Sequence, residues 1–209
     1  MENKKNLLIL SLVLVMLLGG AYLLYGKLSS SLDAEQLAVT QPQSSSSAVG
    51  ETAEESVSSS VEQPEPQKVK APDFTVYDAD GKEVHLTDFV GKPIVLNFWA
   101  SWCGPCQMEM PDFDEKYREI GEKVNFLMVN MTTGRETKEK AVEFIKEKGY
   151  AFPVFYDTEA DAAMTYGAYS LPTTFFIDAE GNAIAQAVGA IDGATLQRGI
   201  DLIYGKTEK

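Results

Sequence analysis

The sequence predicts an α/β domain whose mixed central sheet is flanked by helices. Strand-like and helix-like segments alternate from about residue 71 onwards, and one of the strands, 94–100, is an almost unbroken apolar run. Near the C-terminus, two strand-like runs follow each other across a Gly-Asn turn before the last helix. Alternating strands and helices favour parallel pairs, and a terminal hairpin adds antiparallel ones, so the sheet should contain both.

The elements of this domain can be placed in order. A first hairpin is expected around the turn 78–82, followed by the buried strand 94–100. A helix should run from Cys103 to about Ile120, with Pro111 inside it and Gly121 at its end. Later strands are predicted at 124–130, 152–156, 171–178 and 183–188, and later helices at 136–148, 159–166 and 194–204.

Residues 1–28 are predicted to form a transmembrane signal anchor. Lys4 and Lys5 precede the uncharged run 7–25, which as a helix would span about 28 Å, close to the hydrocarbon thickness of a bilayer. Positive charge ahead of the run places the N-terminus in the cytoplasm and the remainder outside. A cleaved signal peptide is the alternative, but no small-residue cleavage site follows the run cleanly.

Residues 29–70 are predicted to be a disordered linker. They are rich in Ser, Pro and Glu and contain almost nothing that could form a core. A flexible chain of this length has a reach of about 35 Å, so it could tether the domain 71–209 near the membrane or simply space it through a cell envelope.

The two cysteines of the chain, Cys103 and Cys106, lie where a predicted strand turns into a helix. The helix N-terminus would stabilise a thiolate at Cys103, and Cys106 one turn later could close a disulfide with it. Two cysteines and one histidine are too few for a structural zinc site, so neither a metal nor another cofactor is expected. A structural disulfide closing so short a ring would stabilise little, which favours a redox-active pair.

The formal net charge of −13 opposes nucleic-acid binding, because such a chain repels phosphate backbones. Solubility at a cell surface is a sufficient explanation for the charge.

Four segments together resemble a known family. They are Ala71–Phe74, the run 91–103, Trp102–Cys106 and Leu171–Phe175. The motif Trp-Cys-Gly-Pro-Cys is similar to that of the thioredoxin superfamily, and the other segments resemble its TlpA/ResA-type membrane-anchored thiol-disulfide oxidoreductases of the AhpC/TSA-redoxin-like group. The resemblance covers roughly residues 70–205. It implies a thioredoxin fold with an N-terminal β-hairpin and a central helix-strand insertion at about 131–156.

The resemblance also implies roles for individual residues. Cys103 would be the exposed nucleophile of a redox-active disulfide, and Cys106 the buried cysteine that resolves the mixed disulfide. Pro172 matches a proline that is cis in the family, where the adjoining backbone holds an extended substrate segment. The substrate-binding surface would comprise Trp102, Gly104, Pro105, Leu171 and Pro172.

One position departs from plain thioredoxins, which carry a buried aspartate where this chain has Asn97. ResA-like members carry a glutamate three residues after the second cysteine, and Glu109 matches it. Burial would raise the pKa of Glu109 and make it a proton acceptor for Cys106. The alternative is a solvated acid in the first turns of the helix.

The leading functional hypothesis is an extracytoplasmic disulfide reductase, single-pass in a bacterial cell membrane, with a monomeric domain. Its partners would be thiol/disulfide proteins of the cell envelope, such as apocytochrome c during cytochrome c biogenesis or methionine sulfoxide reductases, and a polytopic membrane electron donor. The alternatives are a thiol oxidase that forms disulfides, a thiol peroxidase, and a binding module without catalysis.

Overall fold

The computed structural model describes residues 38–39 and 68–204, in which nine strands form one mixed sheet. The strands are β1 Ala38–Val39, β2 Val69–Lys70, β3 Thr75–Tyr77, β4 Glu83–His85, β5 Ile94–Trp99, β6 Asn125–Asn130, β7 Val154–Tyr156, β8 Thr173–Ile177 and β9 Asn182–Val188. Their order across the sheet is β1-β9-β8-β5-β6-β7-β3-β4, and β2 also pairs with β9. The helices are α1 Gly104–Ile120, α2 Lys138–Lys148, α3 Asp161–Tyr166 and α4 Gly193–Tyr204, with a 3-10 helix at Leu86–Phe89.

Strand β5 lies in the middle of this sheet, and all six of its residues are buried. It pairs in parallel with β6 on one side and antiparallel with β8 on the other. A strand covered on both faces needs apolar side chains at successive positions, which explains the almost continuous apolar run. The predicted mixed sheet is confirmed.

Helix α1 begins directly after β5 and has Cys103 as its N-cap. Pro105 lies in its first turn, where a missing N–H leaves no hydrogen bond unmade, and Pro111 lies inside the helix as predicted. The helix ends at Gly121, although this glycine has right-handed helical angles and not the left-handed ones typical of a glycine cap.

The second helix starts later than the sequence predicted. Thr137 is its N-cap, accepting a hydrogen bond from the backbone N–H of Lys140, and Glu136 lies in the preceding loop. The prediction of a helix from residue 136 was therefore wrong by two residues. Threonine is a favourable N-cap, and the carboxylate of Glu136 is engaged by Ser101 instead.

The N-terminal hairpin and the insertion that the resemblance implied are both present. β3 and β4 are paired antiparallel around the turn at 78–82. The inserted segment forms α2 and β7, and β7 lies parallel to β6. Tyr156 of β7 is also the register partner of Tyr77 in β3, so the insertion links the hairpin to the rest of the sheet.

Five residues of the range assigned to the linker are described, and four of them are strand residues. β1 and β2 both pair antiparallel with β9, which differs from the predicted disorder at these positions. The other linker residues and the proposed anchor, residues 1–28, lie outside the described residues. Among the described helices, none has the length and apolar character needed to cross a bilayer.

Helix α4 packs on the sheet through Gly199, which is buried. A Cβ added at this position would overlap the aromatic ring of Phe176 in β8. Phe176 is itself fully buried, so its ring has no open space into which it could move. The close approach of helix and strand therefore requires glycine here.

We expect Gly199→Ala to destabilise the domain by about 2 kcal/mol, although alanine is the better helix former, because overpacking outweighs the gain in helix propensity. Urea denaturation of the disulfide form measures the change. Phe176→Leu in the Gly199→Ala background should recover part of the loss. Equal or greater stability of the single variant would show that the helix shifts without cost.

Candidate active site

The two cysteines form a disulfide at the start of α1, with their Cα atoms 5.3 Å apart. The Sγ of Cys103 accepts a hydrogen bond from the backbone N–H of Cys106 at 3.2 Å. This N–H is one of the first-turn donors that have no partner within a helix. In the reduced protein, the same donor and the positive end of the helix dipole would favour a thiolate at Cys103.

The two sulfurs differ in their access to solvent. Cys106 is fully buried, whereas Cys103 is 4% exposed and opens onto a surface cavity. Gly104 and Pro105 are exposed beside it, and Trp102 is 46% exposed. Cys103 is thus the sulfur nearer to the surface, although it is largely buried and not exposed as the resemblance implied. The order in which the two cysteines react stays a prediction.

The cavity next to Cys103, called here the Cys103 groove, has a volume of about 500 Å³. It is lined by Trp102, Cys103, Gly104, Pro105, Met131, Thr133, Arg135, Ala168, Tyr169 and Leu171. These residues come from three separate segments, and Arg135 is the one charged residue in the lining. Five of the lining residues were predicted as catalytic or substrate-binding residues. They are Trp102, Cys103, Gly104, Pro105 and Leu171.

The bond between Leu171 and Pro172 is cis, as the resemblance implied. Leu171 lines the groove, whereas Pro172 is buried and is not part of the lining. The carbonyl oxygen of Pro172 also accepts a hydrogen bond from the backbone N–H of Gly189, at 2.9 Å. Contact of Pro172 itself with substrate stays a prediction, and Leu171 is the residue of the pair that faces the groove.

Glu109, one helical turn after Cys106, is a buried carboxylate with only 2% of its surface exposed. Its Oε1 accepts a hydrogen bond from Nδ2 of Asn97 at 2.8 Å, and its Oε2 accepts one from the N–H of Ile191 at 3.0 Å. Desolvation raises the pKa of Glu109 to about 7, helped by the charge of Asp112, while the two hydrogen bonds oppose the shift. The alternative of a solvated acid is contradicted.

Asn97, at the position of the departure from thioredoxin, holds Glu109 in place. Its Nδ2 also donates to Oγ1 of Thr174 in β8, at 3.0 Å. The side chain therefore uses both amide hydrogens to connect β5, β8 and α1. Sequence reasoning found Asn97 and Glu109 but not Thr174 or Ile191, because these two come from segments far away in the chain.

Glu136 is a second buried carboxylate near the dithiol, and no local sequence pattern predicts its burial. It accepts hydrogen bonds from the backbone N–H and the Oγ of Ser101, at 2.7 and 2.8 Å. The carbonyl oxygen of Ser101 in turn accepts a hydrogen bond from Nε2 of Gln107, at 2.6 Å. Every polar atom of Ser101 is thus bonded, which fixes the turn that leads into Cys103.

Within residues 68–204, no group of three or more His, Cys, Asp or Glu side chains is arranged to hold a metal ion. The functional groups that the described site does contain are sulfurs, carboxylates and backbone amides.

Comparison with known proteins decides the family. A sequence profile of the AhpC/TSA family matches residues 68–186. The chain belongs to the AhpC/TSA family. The thiol-disulfide oxidoreductase ResA of Bacillus thuringiensis subsp. konkukian is 40% identical over 123 residues, which cover 57% of this chain and 68% of the relative. ResA of Bacillus subtilis is 34% identical over 134 residues, covering 64% and 73% respectively.

Solved structures agree with this membership. The exposed lipoprotein thioredoxin of Streptococcus pneumoniae superimposes with a TM-score of 0.55 at 35% identity, covering 63% of this chain and all of the other. A thiol:disulfide interchange protein of Chlorobium tepidum gives 0.57 at 26% identity, covering 66% and 97%. The AhpC/TSA domain of this chain has the thioredoxin-like fold, and with its Cys103–Cys106 disulfide it is a thiol-disulfide oxidoreductase.

The raised pKa of Glu109 predicts a specific dependence of stability on pH. An acid that binds its proton more tightly when folded contributes stability that is fully present below its unfolded pKa. For Glu109 this stability is lost as the pH rises from about 4.5 through about 7. Between pH 5 and pH 8 the free energy of unfolding should therefore fall by roughly 2 to 3 kcal/mol more in the wild type than in Glu109→Gln, with both proteins in the disulfide form.

Urea denaturation of both proteins at the two pH values measures this difference. The substitution also changes the hydrogen bonds to Asn97 and Ile191, but that offset does not depend on pH and cancels in the comparison. Parallel pH profiles for the two proteins would show that Glu109 titrates as an ordinary exposed carboxylate.

Proposed function

We propose that this chain reduces disulfide bonds of partner proteins on the extracytoplasmic side of a bacterial membrane. The observation that carries the proposal is the unequal access of the two sulfurs: Cys103 opens onto a groove, and Cys106 lies buried one turn before a buried carboxylate. This is the arrangement that a two-step exchange requires, with one cysteine to attack and one to resolve.

The first step begins from the reduced dithiol. The Cys103 thiolate attacks one sulfur of the partner disulfide, a new S–S bond forms between them, and the partner's S–S bond breaks. The departing partner sulfur leaves as a thiolate and takes a proton from solvent. The groove beside Cys103 leaves room for the partner segment during this attack.

The second step releases the partner. Cys106 loses its proton to the carboxylate of Glu109 and attacks the sulfur of Cys103, which breaks the mixed disulfide and frees the second partner thiolate. Because the pKa of Glu109 lies at about 7, this carboxylate can accept a proton near neutral pH and return it to solvent afterwards. Two electrons pass to the partner, and the enzyme ends as the Cys103–Cys106 disulfide.

A further dithiol must reduce that disulfide before the next cycle. We propose a polytopic membrane electron carrier as the donor of electrons. The partners that receive them would be envelope thiol proteins such as apocytochrome c or methionine sulfoxide reductases. The domain would act as a monomer. Because β1 at Ala38–Val39 already belongs to the sheet, the residues 29–37 between the proposed anchor and β1 would hold the domain close to a donor in the same membrane. The Gly-Pro pair between the cysteines, which resembles reducing members of the superfamily, supports the reductive direction.

We expect the full-length protein to reduce insulin disulfides with dithiothreitol as electron source, and to have a potential nearer to about −270 mV, as in thioredoxin, than to about −120 mV, as in DsbA. Insulin turbidity and equilibration with thiol redox buffers measure the two quantities. Cys106→Ala should accumulate a mixed disulfide through Cys103, whereas Cys103→Ala should form none.

A potential close to that of DsbA would reverse the proposed direction and favour the thiol oxidase. Lack of activity in all these assays would contradict catalysis altogether. Consumption of hydrogen peroxide that disappears in Cys103→Ser would instead favour the peroxidase.

The proposed location is supported by the lysines and the apolar run at the N-terminus. It is also supported by the description of one structural neighbour as an exposed lipoprotein. The run 7–25 would keep the domain attached to the outer side of the membrane.

In intact cells treated briefly with a reducing agent, a maleimide that cannot cross the membrane should label Cys103. Cys103→Ser is the control, since its remaining cysteine is fully buried. Labelling that requires permeabilised cells would place the domain in the cytoplasm and contradict the proposed location.

A further inference from the structure

Arg135 lies over the ring of Trp102, with its Cζ 3.6 Å from the ring centroid. Both residues line the Cys103 groove, and Trp102 directly precedes Cys103 in the chain. A guanidinium group stacked on an indole is attracted by the negative face of the ring and loses side-chain freedom. The positive charge of Arg135 is therefore held beside the reactive sulfur before any partner arrives.

In the disulfide form Arg135 is the one charged residue of the groove, because the nine other lining residues are uncharged. In the reduced form the Cys103 thiolate adds one negative charge, and Arg135 remains the one positive charge of the lining. Ion pairs within residues 68–204 involve other side chains and not Arg135. Stacking occupies the face of the guanidinium and leaves its N–H edge able to bind a carboxylate with two parallel hydrogen bonds. The groove thus combines a mostly apolar lining with one cationic group, the stacked guanidinium of Arg135, which can bind an anion.

The position of this charge stands out against the acidity of the whole chain. A formal net charge of −13 repels acidic partners at long range. A preference for carboxylates must therefore act at short range, where one arginine next to the reacting sulfur outweighs the screened charge of distant residues.

We propose that Arg135 determines substrate specificity by binding a carboxylate side chain of the partner, located next to the cysteine that Cys103 attacks. The occupant of the groove is then an extended partner segment with apolar residues and an Asp or Glu beside its disulfide. This inference rests on the proposed function, since it names the class of segment that the same site reduces.

Three peptides that differ at one position test whether Arg135 binds a carboxylate of the substrate. Each carries a single cysteine in a mixed disulfide with 2-mercaptoethanol, and the residue before the cysteine is Glu, Gln or Lys. The full-length protein is first reduced with dithiothreitol and desalted, so that its own dithiol supplies the two electrons. Chromatography of quenched samples follows the release of the peptide thiol and gives a second-order rate constant for each peptide.

We expect the Glu peptide to react about fivefold faster than the Gln peptide, which is the effect of one partly exposed ion pair, and the Lys peptide to react slowest. The Glu-to-Gln ratio should fall to about one in Arg135→Gln, and in the wild type it should decrease at high salt. Arg135→Lys should keep part of the preference, because it retains the charge but not the planar stacking.

Two controls separate charge recognition from other effects. Lys123→Gln removes an equal charge at the opposite end of α1, about 25 Å away along a helix of 17 residues, and should leave the ratio unchanged. Bis(2-hydroxyethyl) disulfide is neutral and small, so its rate reports the reactivity of the Cys103 thiolate itself, which the loss of a nearby positive charge can change. The peptide rates of each variant are divided by this rate, and the Glu-to-Gln ratio is unaffected by the division.

The outcomes distinguish the inference from the function on which it rests. Equal rates for the three peptides in an active wild type would overturn the role of Arg135 and leave the reductase intact. A uniform loss of rate in Arg135→Gln, with the ratio unchanged, would show that the arginine supports Trp102 or the Cys103 thiolate and does not bind the carboxylate, and would also overturn the inference. Failure of the wild type to reduce even the neutral disulfide would reject the proposed function, and the inference with it.

Discussion

Burial of β5 on both faces is the constraint on which the active site depends. Because this strand is paired along both edges at the centre of the sheet, its last residue has a fixed position, and α1 must begin a few residues later. Two sets of hydrogen bonds hold the turn between them. The backbone N–H of Met131 donates to the carbonyl oxygen of Trp99, and the side chain of Glu136 accepts hydrogen bonds from Ser101. Cys103 is thereby placed at a helix N-cap, where backbone donors favour a negatively charged sulfur.

Glu109 shows how the same scaffold raises the pKa of a buried carboxylate. Its carboxylate lies where α1, β5 and the loop before α4 meet, and it is bonded to Asn97 and Ile191. Two hydrogen bonds are not enough to offset desolvation, so the carboxylate remains easily protonated near neutral pH. An aspartate at position 97 would add a second carboxylate to this site, whereas asparagine supplies a donor. With asparagine at position 97, Glu109 therefore has a hydrogen-bond donor beside it and not a second carboxylate.

The Cys103 groove, in contrast, is formed by loops together with Gly104 and Pro105, the first two residues of α1. Residues 102–105, 131–135 and 168–171 follow three different strands or helices and meet only because the sheet brings their ends together. Loops of this kind can change without disturbing the buried strands beneath them. The scaffold thus places the two sulfurs, while the loops supply the surface beside Cys103, including the stacked pair Arg135 and Trp102.

By itself the sequence determined the element order, the mixed sheet and the place of the dithiol, because these depend on local signals. An apolar run, the Cys-Gly-Pro-Cys motif and the glycines that end helices act within a few residues of one another. The start of α2 was misjudged, since a buried carboxylate and an exposed first-turn acid look alike in sequence. Only the tertiary structure decided the burial of Glu109, the hydrogen bonds between Ser101 and Glu136, and the lining of the groove. Each of these features requires residues from distant segments, and a carboxylate is desolvated only after those segments have packed around it.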